Sequence, residues 1–172
     1  ETSPGTGSPE QRLREQDQDG VDAEVLFGGV SGPHLWRAIR DDLAYKAMVR
    51  AWNGFLGEEY CPANRDRLIA MGVIPFTGVQ DALTELEYCA GVGLKGVWLN
   101  AYPSGKSYPS SEDDRFWAAA LDLRMPITIH VSLGFGGPAG GPSFKYTKDI
   151  SDGARLGSAD DVVRKLASDG LR

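Results

Sequence analysis

The sequence predicts an α/β fold in which helices cover a parallel sheet. Three observations predict it. Short, almost wholly apolar runs alternate with longer segments that carry apolar residues at helical spacing. No hairpin signal joins one apolar run to the next, and strands that are apolar on both faces belong to covered parallel sheets. Finally, 172 residues suffice for one domain with a real core. Right-handed crossovers leave two architectures, a (β/α) barrel or a doubly wound open sheet. A closed barrel takes eight strands and typically ~250 residues, whereas four strands are readable here.

Residues 1–7, small and polar, predict a frayed end. Ser8-Pro9-Glu10-Gln11 then combines an N-cap, a proline in the first helical position and a glutamine three residues after the cap. That predicts a helix to about Gln18, stopped by Gly20. The run from Asp22 to Gly29 reads as the first strand. From Leu43 to Leu56, one helical face gathers Leu43, Ala47, Met48, Ala51, Trp52 and Phe55. Arg67–Phe76 is the second strand. Val79, Ala82, Leu83, Leu86 and Ala90 line the next helix, which closes at Gly91. Gly93–Asn100 is the third strand. Ser111 with Asp114 predicts the cap of a helix whose Phe116, Trp117, Ala120 and Leu121 share a face. Pro126–Ser132, PITIHVS, is the fourth strand. Residues 133–157 form a long glycine-rich loop of the kind that often covers sites. Ser158 with Asp161 predicts the cap of a last helix, with Val162, Val163, Leu166 and Ala167 inward.

Composition narrows the function. The formal net charge is −6 with no cluster of Lys or Arg, which argues against a nucleic-acid surface. No apolar run reaches the ~20 residues a membrane helix needs. Cys61 and Cys89, the only cysteines, read as reduced thiols of a cytoplasmic protein. The chain opens on Glu1 rather than methionine, which predicts residues upstream.

Two glycine-rich stretches imitate phosphate loops. Asn100–Ser107 ends in Gly-Lys-Ser, but asparagine stands where a P-loop needs glycine, and Tyr108-Pro109 follows where the helix should begin. Gly134–Ala139 matches G-x-G-x-x-A, yet Pro138 and further glycines open no helix to face a pyrophosphate. His34, after a Gly-Pro turn, reads as a surface residue. Lys95 sits at the start of a strand, the end concerned with stability, and Lys106 reads as a solvated loop lysine.

His130 is different. Side chains alternate along a strand, so Ile127, Ile129 and Val131 take one face, and Thr128, His130 and Ser132 the other. His130 and Ser132 fall at the C-terminal end of their strand, where α/β folds bind ligands. Imidazole is the commonest metal ligand, although a core histidine bonded to a carbonyl is the competing reading. The third strand divides in the same way: Val97 and Leu99 against Trp98, Asn100 and Tyr102. An aromatic–amide–aromatic series suits a planar ligand or, equally, a core.

Five segments, DGVDAEVLF, RAWNGFLGEEYC, RDRLIAMGVIPF, CAGVGLKGVWLN and FWAAALDLRMPITIHVS, occur in this order. Together they resemble the amidohydrolase-2 family from about Gln11 onward. This family comprises metal-dependent (β/α)8 barrels and includes aminocarboxymuconate-semialdehyde and γ-resorcylate decarboxylases. The resemblance implies that residues 1–172 form one partial TIM-like barrel domain of about four βα units, the second to fifth strands of the whole. It implies that His130 is a metal ligand for zinc or perhaps manganese. The family's ligand pair on strand one, its aspartate on strand eight and its acid/base histidine on strand six have no counterpart here, so the chain reads as a fragment of a longer enzyme. The expected activity is metal-dependent decarboxylation of an aromatic or enoic carboxylic acid, with Trp98, Asn100, Tyr102 and Ser132 around the substrate. Hydrolysis of an ester, lactone or amide is the alternative on the same scaffold. A non-catalytic truncated α/β domain is the third reading. The full-length protein is expected to be a homo-oligomer.

Overall fold

All neighbouring strands of the computed structural model run parallel, and the four lie side by side in chain order, β1-β2-β3-β4. The structure describes residues 5–28, 36, 39–105 and 110–129. The last predicted helix and the glycine-rich loop lie outside them. The result is a four-stranded parallel sheet with helical segments in the connections between its strands.

Helix α1 (Pro9–Asp19) starts as the sequence predicts. The Ser8 hydroxyl accepts from the Gln11 N–H, and Gly20 ends the helix in the left-handed conformation (φ 69°). Arg12 ties this helix to β1 (Glu24–Leu26) through a two-point ion pair with Glu24. The guanidinium holds the Glu24 carboxyl below the usual carboxylate range. A lowered folded-state pKa means that this tie is present at neutral pH and is lost as the pH falls through the acid range.

Helix α2 (Asp42–Gly54) is N-capped by Asp41, and its backbone then loosens into a π-type turn over Phe55–Tyr60. Its buried face differs from the predicted one. Tyr45, Val49 and Asn53 point inward, while Leu43 is 74% exposed and Met48 and Phe55 are also exposed. Gly54 and Gly57 let the end of this helix press onto the next one. A Cβ on Gly54 would lie 2.8 Å from the Tyr88 hydroxyl, and one on Gly57 would lie 2.4 Å from Val92.

Strand β2 (Leu68–Val73) leads into α3 (Val79–Gly91), whose buried face holds Ala82, Leu83, Leu86 and Cys89. Arg65 gathers the Val92, Gly93 and Gly57 carbonyls, which serves the end of α3 and the π-type turn together. Strand β3 (Gly96–Leu99) is followed by a 3-10 turn (Ser111–Asp113), helix α4 (Asp114–Asp122) and β4 (Ile127–Ile129). The cap of α4 is one residue earlier than predicted. Ser110 and Asp113, not Ser111 and Asp114, form the reciprocal capping box.

The sheet separates two apolar layers. Leu68, Ala70, Ile74, Val97 and Leu99 face α3 and α4 and pack with Leu86, Cys89, Phe116 and Ala120. Met71, Val73 and Trp98 face the other way and pack with Tyr45 and Val49. Gly72 belongs to the first layer, where a Cβ would come 2.6 Å from the Cys89 sulfur and 3.0 Å from Leu94. Gly72→Ala is therefore expected to lower stability by about 1–3 kcal/mol through overpacking. Urea unfolding would measure it, and an unchanged midpoint would contradict the packing. Burial also raises the Cys89 thiol far above its ordinary range, as befits an inert core thiol. Cys61 and Cys89 are both buried and free.

Candidate functional site

Ligands of parallel α/β folds bind beyond the C-terminal ends of the strands, so the site is built there. Register aligns Val73 with Trp98 and Trp98 with Thr128. Trp98 is buried against Met71 and Val73, and Phe27, just past β1, stands edge-on to its indole at 6.4 Å. Phe76, beyond the end of β2, lies 5.3 Å from the Tyr45 ring. Trp36 and Trp52 meet at 5.7 Å beside the same cluster. The inner face of the sheet thus carries an aromatic wall at its C-terminal end. Phe27 is its exposed member.

Of the residues singled out from the sequence, Trp98 joins this wall, and Asn100 follows directly after β3, half-buried. Tyr102 comes two residues later. Its buried ring stands edge-on to Trp117 of α4 at 6.5 Å. Alternation holds only while the chain is extended, and β3 ends at Leu99, so the chain has turned before Tyr102. Lys95 is exposed at the start of β3. His34, Lys106, His130 and Ser132 lie outside the described residues.

Two residues missed at the sequence level shape this end of the sheet. The first is Asp113, fully buried, whose carboxylate accepts from the Ser104 N–H (2.8 Å), the Ser104 hydroxyl (3.1 Å), the Ser110 N–H (3.0 Å) and the Ser110 hydroxyl (3.3 Å). It ties Ser104, midway along the loop that leaves β3, to Ser110 at the loop's end. Gly105 in that loop is a left-handed turn residue (φ 75°) whose N–H donates to the Tyr102 carbonyl (2.8 Å). Asp113→Ala strands four donors and is expected to cost about 2–3 kcal/mol. Chemical denaturation and limited proteolysis in residues 100–110 check it. A variant as stable and as protease-resistant as the parent would rule out the clamp.

The second is Asn53, also fully buried. Its amide donates to the Val73 carbonyl (2.9 Å) and to Glu85 (2.8 Å), while its oxygen accepts from the Val73 N–H (2.8 Å). Glu85, buried, pairs with Arg50 at 2.8 Å, and the Arg50 guanidinium lies 3.7 Å from the centre of the Tyr88 ring. One turn earlier Lys46 pairs with Asp81 at 2.9 Å, and Asp81 also accepts from Thr77. A ladder of charges therefore fastens α2 to α3. Nothing in local sequence announces Asn53, because its partners lie 20 and 32 residues away.

Among the described residues, no group of three His, Cys, Asp or Glu side chains is arranged to hold a metal ion. The described part alone therefore does not supply the ligand set of the implied metal.

A 2,6-dihydroxybenzoate decarboxylase from Rhizobium is similar at 24% identity and TM-score 0.57, over 75% of this chain and 39% of that one. The described strands share the (β/α) barrel fold of such structures. A dihydroxybenzoic acid decarboxylase from Polaromonas sp. JS666, holding manganese and the inhibitor 2-nitroresorcinol, is similar at 20% identity and TM-score 0.59, over 84% of this chain and 42% of that one. An amidohydrolase from Mycobacterium avium subsp. paratuberculosis K-10 reaches TM-score 0.62 at 18% identity, over 92% of this chain and 41% of that one. The chain thus spans about two-fifths of the length of these structures. No family model matches the sequence, and no curated protein matches it. Among the described residues, no helix is long and apolar enough to cross a membrane.

Proposed function

We propose that the chain is part of a metal-dependent decarboxylase of the amidohydrolase superfamily, acting on a planar aromatic or enoic carboxylic acid. The observation that carries the reading is the aromatic wall at the C-terminal ends of β1 to β3, on a barrel similar in fold to dihydroxybenzoate decarboxylases. On this reading His130 contributes to a divalent metal site. Thr128 pairs with Trp98 in register, and sequence alternation assigns His130 to the same strand face. Manganese accompanies a structural neighbour, and zinc is the other candidate. When bound, such an ion supplies Lewis acidity toward a carboxylate or water. The chain's own part is to seat the substrate. Phe27 offers its exposed ring to a planar substrate with the buried Trp98 behind it, and Asn100 offers an amide donor and acceptor beside them. Ser132 is assigned to the same rim, and Tyr102 supports the loop from the helix side. The protein on this reading is cytoplasmic and homo-oligomeric.

The test is CO2 release by the full-length protein from 2,6-dihydroxybenzoate and related hydroxybenzoates, with metal content measured on the same sample. Metal-dependent CO2 release is expected. Turnover of lactones or esters without CO2 from any carboxylate would replace the reading with the hydrolase alternative.

A further inference from the structure

The β1–β2 ladder stops at the pair Leu26 and Ala70, whereas the β2–β3 ladder continues to Val73 and Trp98. Among the described residues, the edge of β2 that faces β1 has no strand beside it beyond Ala70. Ile74 donates to the Trp98 carbonyl on the β3 side, so the N–H and carbonyl of Val73 point to the other, unladdered edge. Asn53 fills that edge. A primary amide offers one donor and one acceptor in a plane, the same pair that a neighbouring strand would present. Its contacts of 2.9 Å and 2.8 Å with the two backbone groups of Val73 reproduce a strand's pairing for one residue. The second amide hydrogen goes to Glu85, and Arg50 holds Glu85.

This pairing is also where the two apolar layers meet. Tyr45 and Val49 of α2 join the inner layer, and Leu56 just beyond Asn53 joins the outer one. The end of α2 therefore straddles the edge of β2, with Asn53 at the crossing point.

We propose that Asn53 is a positioning residue for the site-facing end of β2. It substitutes for a strand residue beside Val73 and so fixes the Val73–Trp98 part of the wall against which substrate would lie. Glu85 and Arg50 orient the amide, since a buried carboxylate with a cation behind it accepts only from the amide nitrogen. The clamp itself stands on the hydrogen bonds. What it serves rests on the decarboxylase reading above.

The test uses Asn53→Asp and Asn53→Ala in the full-length protein. A carboxylate at position 53 still accepts from the Val73 N–H. It no longer donates to the Val73 carbonyl, and it puts a second negative charge against Glu85. Backbone amide exchange over residues 71–76 is expected to rise on the order of tenfold in both variants, with exchange in α4 unchanged. In Asn53→Asp alone, exchange is expected to return toward the parent as the pH is lowered, because a protonated carboxyl regains a donor. If Asn53→Asp does not fold at neutral pH, the Asn53→Asp/Glu85→Gln double variant removes the charge pair and is expected to fold. Exchange over 71–76 unchanged in both single variants, or pH-dependent to the same degree in Asn53→Ala, would overturn the clamp. In the activity arm, Asn53→Ala is expected to raise KM for the planar acid about tenfold while kcat changes less. A raised exchange rate with KM unchanged would overturn the positioning role. If the parent releases no CO2 at all, the decarboxylase reading fails, while the exchange result still decides the clamp.

Discussion

In the full-length protein, His130→Ala is expected to lose its divalent metal and, with it, CO2 release. Loss of a group that merely orients a metal ligand costs about 10–100-fold in affinity or activity, so loss of a ligand is expected to exceed 100-fold in both. The reason is chemical. A catalytic metal site is built from about three protein ligands, and removing one leaves a cation held too weakly to survive purification. Metal content by elemental analysis and initial rates with added manganese are the two readouts. Ser132→Ala provides the contrast, because a hydroxyl on the rim is expected to alter KM while leaving the metal in place. If the His130→Ala protein kept both its metal and its rate, His130 would be a core histidine. The aromatic wall would then need a different partner.

This prediction depends on alternation, and alternation was legible. Gly96–Leu99 is buried on both faces, and its odd and even residues fall into separate apolar layers, as a period of two requires. The rule applies to extended chain alone, and β3 ends at Leu99, three residues before Tyr102. Helical periodicity was legible in a weaker sense. It placed α3 correctly from Ala82, Leu83 and Leu86, where all the apolar residues lie on one arc. On α2 it gathers Leu43, Ala47, Met48, Ala51, Trp52 and Phe55, of which Trp52 packs against the core while Leu43, Met48 and Phe55 are exposed. The buried arc is Tyr45, Val49 and Asn53, and a hydropathy pattern counts Asn53 as polar although it is satisfied on every atom. The cap of α4 slipped by one because serine and aspartate are both doubled there, Ser110-Ser111 and Asp113-Asp114. Only the three-dimensional position of Ser104 decides which aspartate is buried. What stayed hidden is what depends on partners far apart in the chain. Asn53 needs Val73 and Glu85, and no window around residue 53 contains them.

Phe116→Ala is expected to destabilise the fold by about 3–5 kcal/mol, the range for removing a fully buried aromatic ring. Phe116 has no exposed surface and lies in the outer layer between β2, β3, α3 and α4. Its ring meets Trp117 edge-on at 5.2 Å, and that contact is lost as well. Sequence periodicity put Phe116 and Leu121 on one face, yet Leu121 is 78% exposed. Leu121→Ala is therefore expected to change stability by less than about 0.5 kcal/mol. Total stabilities run at about 5–15 kcal/mol, so the first substitution alone removes a large share and the second leaves the fold intact. Urea unfolding of both variants, compared at equal slope, separates them. Equal losses would mean that α4 is turned on its axis relative to the sheet. The Asp113 clamp, which sits at the start of the same helix, would then have to be redrawn with it, because a rotation that buried Leu121 would carry Asp113 away from Ser104 and Ser110.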